Sequence, residues 1–394
     1  MTPEVWSLLL TFSGAQAANA VASVFLNLFV FVVSGQLGGL VAFDAAYFFS
    51  LTFVFYAAAA WFRNRPPLAP YRGGLVLTIA FYAVILGLNR GASHYVALLG
   101  LLYGVAQGVY WFGVNLMSFD TVPRDHRIAF YGYSGAIQSV TRVVGPGLGG
   151  LLTGLLPGLG GYLVVFGLGM VLYAGALAAS LRVPLGPPMR TGGAAESLRL
   201  YRTRPDWRLA FHTIAVRGTR EGIAGIAGVY LVYLATGAGW AVGAYAALTA
   251  LAQMVSSLAV TRWTTVERRA ASILAGSVGM TVGASLLLVG ASWPWVFAYG
   301  AVSALAMPFY TIPNAAVPLD VMDRDPAIAD HRVSYTLSRE VALNVGRLAS
   351  IGLLAAGAGA LGGPLALAAL LVGTSAAQAW IAQAVRRLAV DFST

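Results

Sequence analysis

Apolar runs of about 18 or more residues recur along this sequence from one end to the other. A run of that length crosses the hydrocarbon core of a bilayer as a helix, and inside lipid every backbone N–H and C=O must be hydrogen-bonded within the protein. Hydrophobic residues make up 58% of the chain and charged residues only 10%. The pattern predicts an all-α integral membrane protein.

Twelve candidate membrane-spanning helices follow from these runs. Their predicted ranges are 6–33, 39–62, 73–89, 95–117, 128–155, 160–182, 207–235, 240–262, 271–290, 294–317, 333–358 and 363–386. The longest connection contains a polar stretch, 196–202, that is typical of a short amphipathic helix on the membrane surface.

The distribution of arginine predicts the orientation of the chain. All 24 basic residues are arginine. With both termini in the cytoplasm, and with arginines at helix ends counted in the adjoining loop, 18 of them lie in cytoplasmic segments, Arg90 alone lies on the opposite side, and five lie within spans. This asymmetry is the positive-inside pattern and indicates a multi-pass membrane protein, which we expect in the plasma membrane. It also explains the net charge of +10 without a nucleic-acid partner. The first apolar run lacks the basic start and cleavage site of a signal peptide, so we expect it to be retained.

One pattern of four residues occurs twice, displaced by 205 positions. The two copies are Asp125-His126-Arg127 with Arg142, and Asp330-His331-Arg332 with Arg347. Because the chain has only four histidines, the match indicates an internal duplication. We therefore expect an N-terminal six-helix bundle, 1–182, a cytoplasmic linker, 183–206, and a C-terminal six-helix bundle, 207–394, related by a pseudo-two-fold axis along the membrane normal.

The repeated triplets fall in cytoplasmic loops before spans 5 and 11. They are candidates for the active site of a lipid-modifying enzyme, but their neighbours offer no nucleophile or set of metal ligands. Symmetric repetition favours an architectural role, with Asp125, Arg127, Asp330 and Arg332 as loop anchors. We predict no enzymatic activity, no cofactor and no metal site.

Span 5 contains Gly145-Pro146-Gly147-Leu148-Gly149-Gly150. This segment resembles the Gly-Pro-x-x-Gly-Gly core of the antiporter motif of the major facilitator superfamily, which the chain also resembles in its twelve spans, long central loop and short outer turns. In span 4, Gly104-Val105-Ala106-Gln107-Gly108 is similar to the Arg-x-x-Gln-Gly pattern of proton antiporters, with Gly104 in place of Arg. The resemblance implies a transporter; Gly145, Pro146, Gly149 and Gly150 otherwise indicate only a kinked, closely packed helix.

Charged side chains inside a bilayer are costly, so those retained generally face a cavity or a partner. Glu221 is the first candidate for proton coupling, because Arg217 lies four residues earlier on the same helical face; a permanent ion pair is the alternative. Asp44 is the second, as a gate that pairs with Arg347 across the halves, or as a solvated residue at a helix end. Glu340 is the third, or a tether for a loop.

Other polar residues within the spans are candidates for a substrate cavity or a gate, or for hydrogen bonds that hold helices together. They are Arg142, Arg217, Arg220, Arg347, Gln16, Asn19, Gln138 and Asn344.

A chain without lysine cannot carry a P-loop for ATP. The sequence therefore predicts a monomeric secondary active transporter that works by alternating access, with a small-molecule substrate, protons or another coupling ion, and membrane lipids as its partners. Proton-coupled efflux of a lipophilic or amphiphilic molecule is the preferred activity. The alternatives are a flippase or importer of a lipid-linked or organic anionic solute, indicated by five arginines against three acids in the spans, and a lipid-modifying enzyme.

Overall fold

The computed structural model describes residues 3–120, 127–185, 188, 193–265 and 267–390, and these residues form helices and no strand. The helices are α1 (Pro3–Ser34), α2 (Leu37–Trp61), α3 (Leu68–Leu88), a 3-10 helix (Asn89–Tyr95), α4 (Val96–Asp120), α5 (Arg127–Leu155), α6 (Gly160–Ser180), α7 (Ala194–Thr203), α8 (Pro205–Thr236), α9 (Gly239–Trp263), α10 (Arg269–Val289), α11 (Trp293–Asp323), α12 (Ile328–Leu361), α13 (Gly363–Ala377) and α14 (Ala379–Val390).

Within the described residues, nine helical segments are long and apolar enough to cross a membrane. One of them, Leu68–Met117, contains both α3 and α4, and another, Gly363–Leu388, contains α13 and α14. Helices α5 and α8 fall outside this set, although they have 29 and 32 residues. Together these helices account for the twelve predicted spans, so the predicted all-α membrane fold is confirmed. The predicted amphipathic helix is present as α7.

Most helix ends lie within five residues of the predicted ranges, and two spans depart further from their predictions. Helix α11 continues to Asp323 through Pro308, Pro313 and Pro318, and the last span breaks at Gln378 between α13 and α14. Proline lacks an N–H, so Pro313 leaves the carbonyl of Phe309, four residues earlier, without its helical donor. Ser272 Oγ donates to that carbonyl at 2.8 Å. A neighbouring helix thus supplies the missing hydrogen bond, which is how membrane helices tolerate proline.

The described chain divides into two compact units, unit 1 (Met1–Thr191 with Ala238–Ala247) and unit 2 (Gly192–Gly237 with Leu248–Thr394). In unit 1, α1 packs on α5 and α6, and α3 packs on α4 and α6. In unit 2, α8 packs on α12 and α13, and α10 packs on α11 and α13. The two units therefore repeat one packing pattern, in agreement with the 205-residue sequence repeat.

Each unit also contains an equivalent hydrogen bond from a serine to a backbone carbonyl of another helix. Ser50 Oγ of α2 donates to the carbonyl of Leu101 in α4 at 2.8 Å, and Ser256 Oγ of α9 donates to the carbonyl of Leu305 in α11 at 2.5 Å.

Tight turns also match between the halves. Among the described residues, four glycines have a positive φ of +62° to +79°, which residues with side chains disfavour. They follow α1, α5, α8 and α12, and are Gly35, Gly158, Gly237 and Gly362.

Helix α4 packs against α2 through glycines spaced four residues apart. A Cβ atom on Gly104 would lie 2.5 Å from the carbonyl oxygen of Tyr47 and 2.8 Å from Cβ of Ser50. Gly100 and Gly108 face α2 in the same way. Position 104, where the proton antiporter pattern has arginine, is therefore a point of helix contact.

We expect Gly104→Ala to lower the stability of the protein by about 1–3 kcal/mol, because the added methyl group has no space between α2 and α4. The measurement is the Tm of the purified protein in dodecyl maltoside micelles. Gly167→Ala in α6 is the control, since nothing lies within 4 Å of a Cβ atom there. Equal Tm values for the two variants would contradict the tight contact.

Candidate functional site

Helices α8 and α12 of unit 2 approach each other closely because glycines stand on both facing sides. A Cβ atom on Gly218 would overlap the carbonyl of Leu343, and one on Gly346 would overlap the carbonyl of Ala215. Small residues of this kind let helix backbones meet in a membrane. The contact brings charged side chains of both helices together.

Glu221 of α8 is shared by two arginines. Its Oε1 accepts a hydrogen bond from Nε of Arg217 at 2.6 Å, and its Oε2 accepts one from Nη2 of Arg347, on α12, at 2.7 Å. The pair with Arg217 is the one predicted from the spacing of four residues; the bond to Arg347 was not predicted. Charge-assisted hydrogen bonds are stronger than neutral ones, so this carboxylate ties α8 to α12.

The candidate residues Glu340, Asn344 and Arg347 all lie on α12, but they have different partners. Nη1 of Arg347 donates to Oδ1 of Asn344 at 2.9 Å, whereas Glu340 pairs with Arg339 at 3.3 Å. Asn344 is fully buried, and its Nδ2 has no hydrogen-bond partner in the described part of the chain.

Arg220 lies on another face of α8. Its side chain is 7% exposed, and its Nε donates to Oγ of Ser375 in α13 at 3.1 Å. Unlike Arg217 and Arg347, it forms no ion pair with any described residue.

A chain of neutral polar groups lies beside these charges. Nδ2 of Asn314 donates to the hydroxyl of Tyr310 at 3.2 Å, which donates to Oε1 of Gln378 at 2.5 Å. Nε2 of Gln378 donates in turn to the carbonyl of Val216 at 2.8 Å. The sequence analysis did not identify Gln378, which is fully buried. The signal in the sequence was a glutamine within an otherwise apolar span.

In unit 1, Asp44 is 5% exposed, so it is not a solvated residue at a helix end. Its Oδ2 accepts a hydrogen bond from Nδ2 of Asn27 at 3.4 Å. Gln16 and Asn19 of α1 are half-buried. The gate between Asp44 and Arg347 stays a prediction.

The antiporter-like segment of α5 makes close contacts within unit 1. A Cβ atom on Gly145 would lie 2.9 Å from the backbone of Ala20, and one on Gly149 would overlap the ring of Phe25. Gly150 faces Gly243, in the first turns of α9, which belong to the same unit. These glycines therefore allow α5 to pack closely against its neighbours.

Earlier on α5, Gln138 is half-buried and Arg142 is exposed. Arg142 has no ion-pair partner among residues 3–120, 127–185, 188, 193–265 and 267–390. Its role in a cavity or a gate stays a prediction.

A cluster of charged groups and one tyrosine, at the beginning of α12, attaches α7 to α12. The α7 docking cluster consists of Glu196, Arg204, Asp206, Asp325, His331 and Tyr335. Nδ1 of His331 lies 2.7 Å from Oδ2 of Asp325, and its Nε2 lies 3.3 Å from Oε1 of Glu196 in α7. The imidazole of His331 therefore forms a hydrogen bond with Asp325 and lies close to the carboxylate of Glu196.

Asp325 is the centre of the α7 docking cluster. Its Oδ2 accepts a hydrogen bond from the hydroxyl of Tyr335 at 2.9 Å and lies 3.2 Å from Nη1 of Arg204. Burial alone would raise the pKa of this carboxyl, but the hydrogen bonds from His331, the Ala327 N–H and Tyr335 outweigh burial and hold the pKa below its usual value.

The triplet residues predicted as loop anchors have mixed positions. Asp125 lies outside the described residues, as does the side chain of Arg127, the first residue of α5. Asp330 is exposed and Arg332 is half-buried, and their anchoring role stays a prediction. The histidine between them makes the contacts with α7. Among the described side chains, no three His, Cys, Asp or Glu groups come together as metal ligands would.

Comparison with protein-family models finds no match. Over 344 residues the chain is 25% identical to the uncharacterized protein YqgE of Bacillus subtilis (strain 168), covering 87% of this chain and 80% of that protein. It is 26% identical over 160 residues to an uncharacterized protein in the sodM 3' region of Geobacillus stearothermophilus, covering 40% of this chain and 75% of that protein.

Solved structures of membrane transporters superpose on the whole chain. A bacterial homologue of the iron transporter ferroportin, in its inward-facing state, matches with a TM-score of 0.69 and 14% identity, covering 98% of both chains. The nucleoside transporter NupG matches with a TM-score of 0.70 and 10% identity, covering 98% of this chain and 99% of that one. The E. coli fucose:proton symporter FucP matches with a TM-score of 0.65 and 16% identity, covering 97% and 99%.

We expect Asp325→Asn to lower the stability of the protein by about 2 kcal/mol at pH 7, because it removes charged hydrogen-bond acceptors from the α7 docking cluster. A carboxyl with a depressed pKa contributes stability above its usual pKa of about 3.9, and this contribution is lost as the pH falls through its folded-state value. The Tm difference from the parent should therefore be full at pH 7 and shrink below about pH 4.

The control is Asp323→Asn, the same change two residues away at an exposed position. A Tm difference for Asp325→Asn that persists unchanged in acid would mean that ionisation of Asp325 does not stabilise the cluster.

These comparisons and the helix packing lead to one conclusion about architecture: the chain has the twelve-helix fold of transporters of the major facilitator type.

Proposed function

We propose that this chain is a secondary active transporter that works by alternating access and exports a lipophilic or amphiphilic small molecule in exchange for protons. The observation that carries the proposal is Glu221, a carboxylate within the spans that holds two helices of unit 2 together through Arg217 and Arg347.

The physical basis of the proposal is that a proton competes with Arg217 and Arg347 for the carboxylate of Glu221. An ionised Glu221 accepts hydrogen bonds at both oxygens, from Arg217 and from Arg347. A proton on Glu221 removes its charge, so both ion pairs weaken at once and two arginines lose their partner. Proton binding therefore changes the free energy of the α8–α12 contact, which is the coupling that a proton-driven transporter requires.

Asp44 is the second proposed coupling group. It is buried in α2 with Asn27 as its hydrogen-bond donor, so a change in its protonation also alters a contact between helices. Glu340, paired with Arg339, is the third.

A second candidate function is uptake or flipping of an organic anionic or lipid-linked solute. The observation that favours it is the charge balance in the spans, where five arginines stand against three acidic residues. An anionic solute neutralises part of this excess while it is bound.

We expect proteoliposomes containing the protein to move an amphiphilic probe when a pH gradient is imposed, and the flux to collapse when nigericin dissipates the gradient. The probes are rhodamine 6G, a lipophilic cation, and a dansylated fatty acid, an amphiphilic anion. Glu221→Gln should reduce gradient-driven flux at least about tenfold, because a neutral amide cannot carry a proton through the cycle. Exchange of labelled for unlabelled probe without a gradient should persist, since it needs no net proton transfer.

Asp44→Asn is measured in parallel, and Glu267→Gln, at an exposed position, is the matched control. Coupled flux that survives both Glu221→Gln and Asp44→Asn would contradict proton coupling at these groups. Flux that is independent of the gradient would contradict antiport, and turnover of a lipid in detergent micelles would indicate an enzyme.

A further inference from the structure

One arginine of the candidate site forms no ion pair with a described residue. Arg220 is 7% exposed within α8, and the partner of its Nε is the neutral hydroxyl of Ser375. The other two arginines near it, Arg217 and Arg347, share the carboxylate of Glu221. No described carboxylate lies within ion-pair distance of Arg220.

The surrounding charges do not compensate for this guanidinium. The membrane-spanning parts of α8 and α12 carry four arginines, at 217, 220, 339 and 347, against two glutamates, at 221 and 340, which leaves a net charge of +2. Burying an ion without a partner costs several kcal/mol even after local relaxation. An anion that binds to such a charge compensates it and therefore stabilises the fold.

The groups around Arg220 suit an oxyanion. A guanidinium presents N–H donors in a planar fork that matches the two oxygens of a carboxylate or phosphate. Nε of Arg220 donates its hydrogen bond to Oγ of Ser375, and this bond fixes the plane of the guanidinium group. Tyr299 of α11 is 4% exposed and interacts electrostatically with Arg220. A tyrosine hydroxyl can donate a further hydrogen bond to an anion.

We propose that Arg220, with Ser375 and Tyr299, forms an anion-binding site inside unit 2 that takes the carboxylate or phosphate group of an amphiphilic solute. That the bound solute is the transported one rests on the proposed function; the binding of an anion does not. The anionic group pairs with Arg220, while its apolar part lies among the apolar side chains of the spans.

The test is a binding measurement on the whole protein in dodecyl maltoside micelles, independent of transport. Benzoate is the probe, and benzamide is its uncharged counterpart of the same shape. We expect benzoate to raise the Tm by a few degrees in a concentration-dependent manner, and benzamide to leave it unchanged. Inorganic phosphate and added phosphatidylglycerol, compared with phosphatidylcholine, distinguish a free anion from a lipid headgroup.

Arg220→Gln should abolish the shift with benzoate and should raise the Tm of the protein without ligand, because it removes the uncompensated charge. Arg220→Lys keeps the charge without the planar fork and should need about tenfold more benzoate for the same shift. Arg262→Gln, at an exposed position in the same unit, is the matched control and should keep the parent response.

Equal effects of benzoate and benzamide, or an unchanged benzoate response in Arg220→Gln, would overturn the proposal. The absence of any shift with benzoate, phosphate and phosphatidylglycerol would also overturn it. If Arg220→Gln does not fold, the comparison of benzoate with benzamide on the parent and on Arg220→Lys decides. Anion binding without flux in proteoliposomes would refute the proposed transport but not the site, and flux without Arg220-dependent binding would refute the site alone.

Discussion

A single carboxylate, Glu221, holds together the charged interior of unit 2. Its two oxygens accept hydrogen bonds from an arginine on α8 and an arginine on α12. The bond to Arg347 on α12 forms where facing glycines let the two backbones meet. In a medium of low dielectric constant, such bonds are strong when complete and costly when broken. The position of α12 against α8 therefore depends on the charge of one side chain, and the neighbouring network of Tyr310 and Gln378 fixes the remaining polar groups without charge.

Most of the fold could be predicted from the sequence, but only part of the candidate site could be predicted in this way. Long apolar runs predicted the helices, because a bilayer leaves a chain no other way to satisfy its backbone. The pair of Arg217 and Glu221 followed from the geometry of one helix, in which residues four apart are neighbours. The bond from Arg347 to Glu221 joins residues 126 positions apart. The contacts of His331 with Glu196 and Asp325 also depend on which helices pack together. Spacing along a chain carries no such information.

The end of α11 also differs from the prediction, and proline is involved. A helix with three internal prolines was expected to end at 317, yet it continues to Asp323. The hydroxyl of Ser272, on another helix, restores the hydrogen bond that Pro313 removes. The boundary of a membrane helix is thus set by its neighbours as much as by its own residues.

The contact between α2 and α4 has an evolutionary consequence. Because Gly104 stands against Tyr47 and Ser50, an arginine at this position has no space unless the two helices separate. The single change Gly104→Arg would therefore create the Arg-x-x-Gln-Gly pattern of proton antiporters only by forcing α2 and α4 apart. A lineage that passes between the two patterns must first enlarge the gap by changing residues on α2, so the two helices evolve as a pair.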